Sequence, residues 1–207
     1  MSHDRRLTTT PQTAPAHGPR LRSRREHLYR LPHWFACRTR PRAEKKAERQ
    51  RDRAGIEAFL PLVYRERQWA DRTKVVGFPL FPGYLFARFH LREMAAVLQL
   101  PLLSAVVATN GVPTPVRDEE IDAVRKLVDR ARQTGIEPQP ADFLEPGEEI
   151  VVVDGPFRGL HGVLLEHRGS TRVAVKLSAI RQAVAIELDR KCLRAASTGG
   201  PAGQGGA

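Results

Sequence analysis

The 207-residue sequence predicts an α+β architecture in two parts: an N-terminal α/β sandwich, an antiparallel sheet flanked by helices, and a small C-terminal β-barrel. Three observations predict it. Strand-like runs and helix-like stripes alternate unevenly over residues 33–132. A stretch over 133–144 carries Gly135, Pro138 and Pro140 and has neither period. Over 145–194, short β-branched runs separated by Gly-rich or charged turns follow one another at the rhythm of a barrel. Residues 1–32 mix Thr, Pro, Ala, His and Arg without apolar periodicity, and are expected to form a disordered basic tail. Residues 195–207 are rich in Gly and Ala, and are expected to form a flexible one.

In chain order, residues 33–40 are bounded by Pro32 and Pro41 and read as a strand carrying Trp34 and Phe35 into a core. Strong helix formers over 42–54, with Pro41 before them and Gly55 after, predict a helix with a thin apolar stripe at Ala43, Ala47 and Ala54. Residues 56–64 and 78–89 read as strands, and the charged segment 65–74 between them as an exposed excursion or hairpin. A second helix is expected over 92–100 and a Val-rich strand over 103–109, before the Asn110-Gly111 turn. The next helix is the clearest. Asp118, Glu119 and Glu120 complement its N-terminal dipole, Ile121, Val124, Leu127 and Val128 recur at helical spacing, and Arg130 and Arg132 sit near its end.

Charge is distributed unevenly. Seven Arg face two acids over 1–33 (net +5), 19 Lys and Arg face 12 acids over 34–132 (net +7), and 8 face 9 over 133–207 (net −1). A basic N-terminal part beside a neutral C-terminal one suggests that only the former touches nucleic acid. The longest apolar candidate, 95–108, is broken by Gln99 and Pro101, so no membrane helix is expected, and no secretory signal is recognisable. A cytoplasmic location is therefore the expectation. Cys37 and Cys192 lack metal-type spacing and read as packed thiols. The histidines are scattered, and neither a Ser-His-acid set nor a phosphate-binding glycine loop is recognisable, so an enzyme is not expected and no cofactor or metal is called for.

Two motifs carry more. Asp154-Gly155-Pro156-Phe157-Arg158-Gly159-Leu160-His161-Gly162-Val163 is a well-made β-turn: Gly159 and Gly162 suit positive φ or close backbone approach, and Phe157 and Leu160 can plug a barrel. It resembles the KOW motif, whose domain is an SH3-like β-barrel. Phe81-Pro82-Gly83-Tyr84-Leu85-Phe86, preceded by Pro79-Leu80, together with Trp34-Phe35 and residues 41–48, resembles the N-terminal domain of the NusG family of bacterial transcription elongation and antitermination factors. The Pro79-Leu80 lead-in, the long basic tail and the loop at Ile180 look like the specialised antiterminator paralogues such as RfaH.

The resemblance implies that an apolar patch around Phe81, Pro82, Gly83, Tyr84 and Phe86 docks on the clamp helices of the largest RNA polymerase subunit. Strand alternation places Tyr84 and Phe86 on one face, the expected polymerase-facing pair, and Phe81, Gly83 and Leu85 on the other. It also implies that Lys46, Gln50 and Arg53, on one helix face, with Arg40 just before it, meet the exposed non-template DNA strand. Ala95, Ala96 and Val97 stand where such paralogues carry a polar polymerase contact. In the C-terminal domain, Ile180 stands where housekeeping members display a Phe that serves both the termination factor Rho and a small-subunit ribosomal protein. An exposed Ile180 beside Arg181 is expected to keep the ribosomal small subunit as a partner and to lose Rho. A monomer is expected. The competing reading is a ribosome-associated or RNA-binding KOW protein; against it, residues 145–194 hold only 8 Lys and Arg against 7 acids.

Overall fold

The computed structural model describes residues 28–144, 146–167 and 169–196. The two expected tails therefore fall almost wholly outside the described residues; of the first, Leu28 is seen, buried against the N-terminal core. The N-terminal part runs β1 (His33–Thr39), α1 (Glu44–Ala54), β2 (Glu57–Phe59), β3 (Leu62–Gln68), β4 (Thr73–Pro79) and β5 (Tyr84–Phe89). A 3-10 turn at Leu91–Glu93, α2 (Met94–Leu98), β6 (Leu103–Val106), β7 (Ala108–Thr109), β8 (Val112–Pro113), β9 (Pro115–Val116) and α3 (Asp118–Thr134) follow. Its main sheet is antiparallel in the order β2-β5-β1-β6, with β9 also pairing β1.

β1 is the centre of this sheet and is covered on both sides, which is why Trp34, Phe35, Ala36 and Cys37 are all buried. Trp34 and Ala36 join Val116, Ile121, Val124 and Leu127, packing one face against α3. Phe35 and Cys37 join Ala47, Leu91 and Val97, packing the other against α1 and α2. The expected sandwich is what these faces build, because the period of 2 along β1 divides its side chains between two helical layers. Several boundaries differ: the run expected as one strand over 56–64 is divided between β2 and β3, and that over 78–89 between the end of β4 and β5. The helix expected from Arg42 begins at Glu44, because Arg42 adopts φ 58°, outside the right-handed helical region.

β3 and β4 form a separate two-stranded ribbon with every residue from 64 to 75 exposed, the excursion that the charged sequence predicts. Beyond α3 come β10 (Gln139–Ala141), β11 (Glu148–Val152), β12 (His161–His167), β13 (Ser170–Leu177), β14 (Gln182–Glu187) and β15 (Leu193–Ala195). They form one antiparallel sheet in the order β10-β14-β13-β12-β11-β15, giving the β-rich C-terminal domain. β10 lies inside the stretch read as linker; Gln139, Pro140 and Ala141 pair with Ala185, Val184 and Ala183, tertiary pairing that no local period announces. In the turn from β11 to β12, Phe157 and Leu160 are buried as the motif suggests. Gly159 has φ 82°, and a Cβ on Gly162 would lie 2.7 Å from the Ala174 carbonyl oxygen.

Candidate functional site

The segment entering β5 divides its aromatics between core and surface. Phe81 and Phe86 are 1% and 0% exposed and meet edge to face at 6.1 Å. Phe86 pairs with Ala36 of β1 and Phe59 of β2, so its ring lies in the layer beneath α3. The expectation that Phe81 and Phe86 belong to a partner-facing patch is therefore corrected: both are core residues, and Tyr84 is the ring that reaches the surface, half-buried with the Arg38 guanidinium 5.7 Å from its ring centre. Phe81 and Phe86 share a core cluster despite their opposite parity because residues 81–83 precede the strand. Gly83 turns there at φ 83°, which interrupts the alternation that the sequence suggests.

That turn is held from α1. The Gly83 N–H donates to Glu44 Oε1 at 2.8 Å, and Glu44 is 7% exposed. This buried acid positions the Pro82-Gly83-Tyr84 surface; the sequence showed it only as one charge in a helix of mixed charge. Beside the surface lies an open groove of about 590 Å³ walled by Phe78, Pro79, Leu80 and Pro82 from one side and Pro140 and Val184 from the other. It is mostly apolar, with Arg42 and Lys45 contributing cations.

Of the basic group, Arg40 and Lys46 are exposed and Gln50 is half-buried, its Oε1 without a hydrogen-bond partner among the described residues. Lys46 and Gln50 are one helical turn apart on α1, where Arg49 is also exposed. Arg53 lies on the same helix.

Ile180 is not displayed as expected. It is 9% exposed and joins a single apolar cluster that runs from α3 and the N-terminal sheet into the C-terminal one. The contact is polar at its margin: Glu120 Oε1, on a side chain only 5% exposed, accepts from the Ser178 N–H at 3.1 Å and its hydroxyl at 2.7 Å, and Lys126 Nζ donates to the Gly159 carbonyl at 3.1 Å. Glu120 also accepts from the Arg117 side chain at 3.1 Å. Read from sequence it was one of three dipole-capping acids; nothing there separates it from Asp118 and Glu119, which are exposed. Arg181, beyond Ile180, is exposed at φ 53°, so the loop points its cation outward and its Ile inward. Among the described residues no His, Cys, Asp and Glu group could hold a metal ion.

A helix-covered antiparallel sheet with a small aromatic and cationic surface, followed by a β-rich domain, defines a class of binding module. Comparison with known proteins makes the class specific. Residues 32–125 match the family model described as "Transcription termination factor nusG". The chain is 33% identical over 113 residues to "Transcription termination/antitermination protein NusG" of Escherichia coli (strain K12), covering 53% of this chain and 61% of that protein. It is 29% identical over 124 residues to the protein of the same name from Buchnera aphidicola subsp. Baizongia pistaciae (strain Bp), covering 58% and 67%. The match to the Escherichia coli relative thus spans about three fifths of that protein's length. A solved structure described as "Domain interaction in Thermotoga maritima NusG" is similar at 22% identity and a TM-score of 0.43, covering 79% of this chain and 97% of that one.

Proposed function

We propose that the protein is a transcription elongation and antitermination factor that binds RNA polymerase through its N-terminal domain. The observation that carries the reading is the Pro82-Gly83-Tyr84 surface, pinned by Glu44 beside an apolar groove and lying within the residues that match the family model. A rigid turn presenting one aromatic ring and a hydrophobic wall suits a helical partner, and the clamp helices of the largest subunit are the partner that the family resemblance names. Arg40 and Lys46, exposed in the segment that flanks Glu44, whose carboxylate holds the same turn, suit phosphates of the non-template DNA strand. The C-terminal domain would recruit a second partner, the ribosomal small subunit, through the loop at Ile180. That loop must first leave its contact with α3, because Ile180 is buried there.

Retention of RNA polymerase by immobilised protein tests the reading. Tyr84→Ala is expected to weaken retention at least tenfold while leaving thermal unfolding nearly unchanged, since a central interface aromatic typically contributes about 2 kcal/mol or more. Undiminished retention by the folded variant would overturn it.

A further inference from the structure

The ribbon of β3 and β4 has two unlike faces. Its register sets Arg65 opposite Val76 and Arg67 opposite Lys74, and the Trp69 N–H donates to the Arg72 carbonyl at 2.8 Å where the ribbon closes. Paired residues share a face, as do residues two apart along a strand. Arg65, Arg67, Trp69, Arg72 and Lys74 therefore share one face. The contacts agree: the Arg65 and Arg67 guanidiniums lie 5.5 and 5.4 Å from the ring centre of Phe78, which has the same parity on the partner strand. Tyr64, Glu66 and Val75 occupy the other face. The ribbon's four cations are thus sorted from its one strand carboxylate; Asp71 sits in the tip.

Arg65 is paired with Glu137, so its charge is already answered. Arg67, Arg72 and Lys74 are exposed, and among the described residues no carboxylate lies within ion-pair distance of them. Trp69 stands at the tip with 58% of its surface open to water. A surface built only for solubility interleaves both signs and keeps large rings inside. This one concentrates a single sign along a narrow ribbon and leads with an aromatic.

We propose that this face of the ribbon docks on duplex DNA of B form, lying along the major groove with Trp69 at its leading end. The B-form major groove, about 12 Å wide, admits a two-stranded ribbon, whereas that of an A-form RNA duplex is too narrow for side chains to read. Same-face residues recur about every 6.7 Å along a strand, close to the rise of two base pairs, so successive cations keep step with phosphates. Phe78 stacks beneath Arg65 and Arg67 and holds both guanidiniums on the docking face. The surface adjoins the groove beside Tyr84, which Arg65 and Phe78 also line, extends from there to the ribbon tip, and acts without polymerase.

The test uses the full chain and a 30-base-pair DNA duplex of mixed sequence, with binding followed by fluorescence anisotropy over a range of salt. Arg67→Gln, Arg72→Gln and Lys74→Gln combined are expected to lower the slope of log affinity against log salt by about 2 to 3, since each phosphate contact contributes about 0.9. Glu66→Gln, which removes a charge of the opposite sign from the opposite face, is expected to leave the slope unaltered. In the unmodified protein, duplex is expected to shield Trp69 from acrylamide quenching; Trp34, 3% exposed, contributes little to that signal. An equal salt slope for the triple variant and the unmodified protein would overturn the proposal, since other cations would then carry the binding. So would an unshielded Trp69, or tighter binding to the single strand or to the matching RNA duplex.

Discussion

At the scale of single residues, burial separates side chains that the sequence presents alike. The Cys37 thiol lies between Ala36 and Arg38 on the covered central strand, and desolvation pushes its pKa from 9.0 up to about 12. Because the folded value is raised, the neutral thiol contributes stability that is fully present below about 9 and is lost as pH rises towards about 12. At pH 8 a thiol reagent is therefore expected to modify the half-buried Cys192 and to spare Cys37 until the protein unfolds; one equivalent of label on native protein and two in denaturant is the expected count. The same distinction divides Tyr84 from Phe86. Truncating Phe86 removes a ring that is 0% exposed and costs about 3 to 5 kcal/mol, which is why Tyr84→Ala alone is a clean probe of binding.

At the scale of elements, close backbone approach fixes how β12 sits on β13. A methyl group at Gly162 would lie 2.7 Å from the Ala174 carbonyl oxygen and 2.8 Å from a Val173 methyl. Neither the carbonyl nor the fully buried Val173 can move without parting the strands. Gly162→Ala is therefore expected to destabilise the C-terminal domain by about 2 kcal/mol or more, read as a lower denaturant midpoint for that domain's transition. α1 teaches a related lesson about ends. Its composition announces a helix from Arg42, yet the first turn is displaced to Glu44, because Arg42 adopts φ 58°, outside the right-handed helical region. Local propensity specifies that a helix forms; the backbone before it sets where it starts, and the Glu44 carboxylate in its first turn then holds the Gly83 N–H 39 residues away.

At the scale of the whole molecule, Glu120 joins the two parts. Removing its carboxylate leaves the Ser178 N–H and hydroxyl without their acceptor at the margin of an apolar contact. Glu120→Ala is expected to weaken the contact by about 1 to 3 kcal/mol and to speed hydrogen exchange of the amides from Ser178 to Ile180 by roughly tenfold or more. Exchange unchanged from the unmodified protein would mean that packing at Ile180 alone holds the parts together.

The sequence by itself determined the type of the longer elements, the division into an α/β sandwich and a β-rich domain, the charged hairpin and the segment that bears the candidate surface. Each of these rests on short-range information: apolar period, turn residues, or charge within a few positions. Only the tertiary structure decided that Phe86 and Ile180 are buried, that Gln139–Ala141 is a strand, and that Glu44 and Glu120 are buried acids with distant partners. It also sorted the cations of the hairpin onto one face, because the register that pairs Arg67 with Lys74 depends on where the turn closes. The physical reason is common to all of them. Exposure and pairing depend on which surfaces meet across the chain, and residues identical in local pattern, such as Asp118, Glu119 and Glu120, are distinguished only by what a distant segment brings against them.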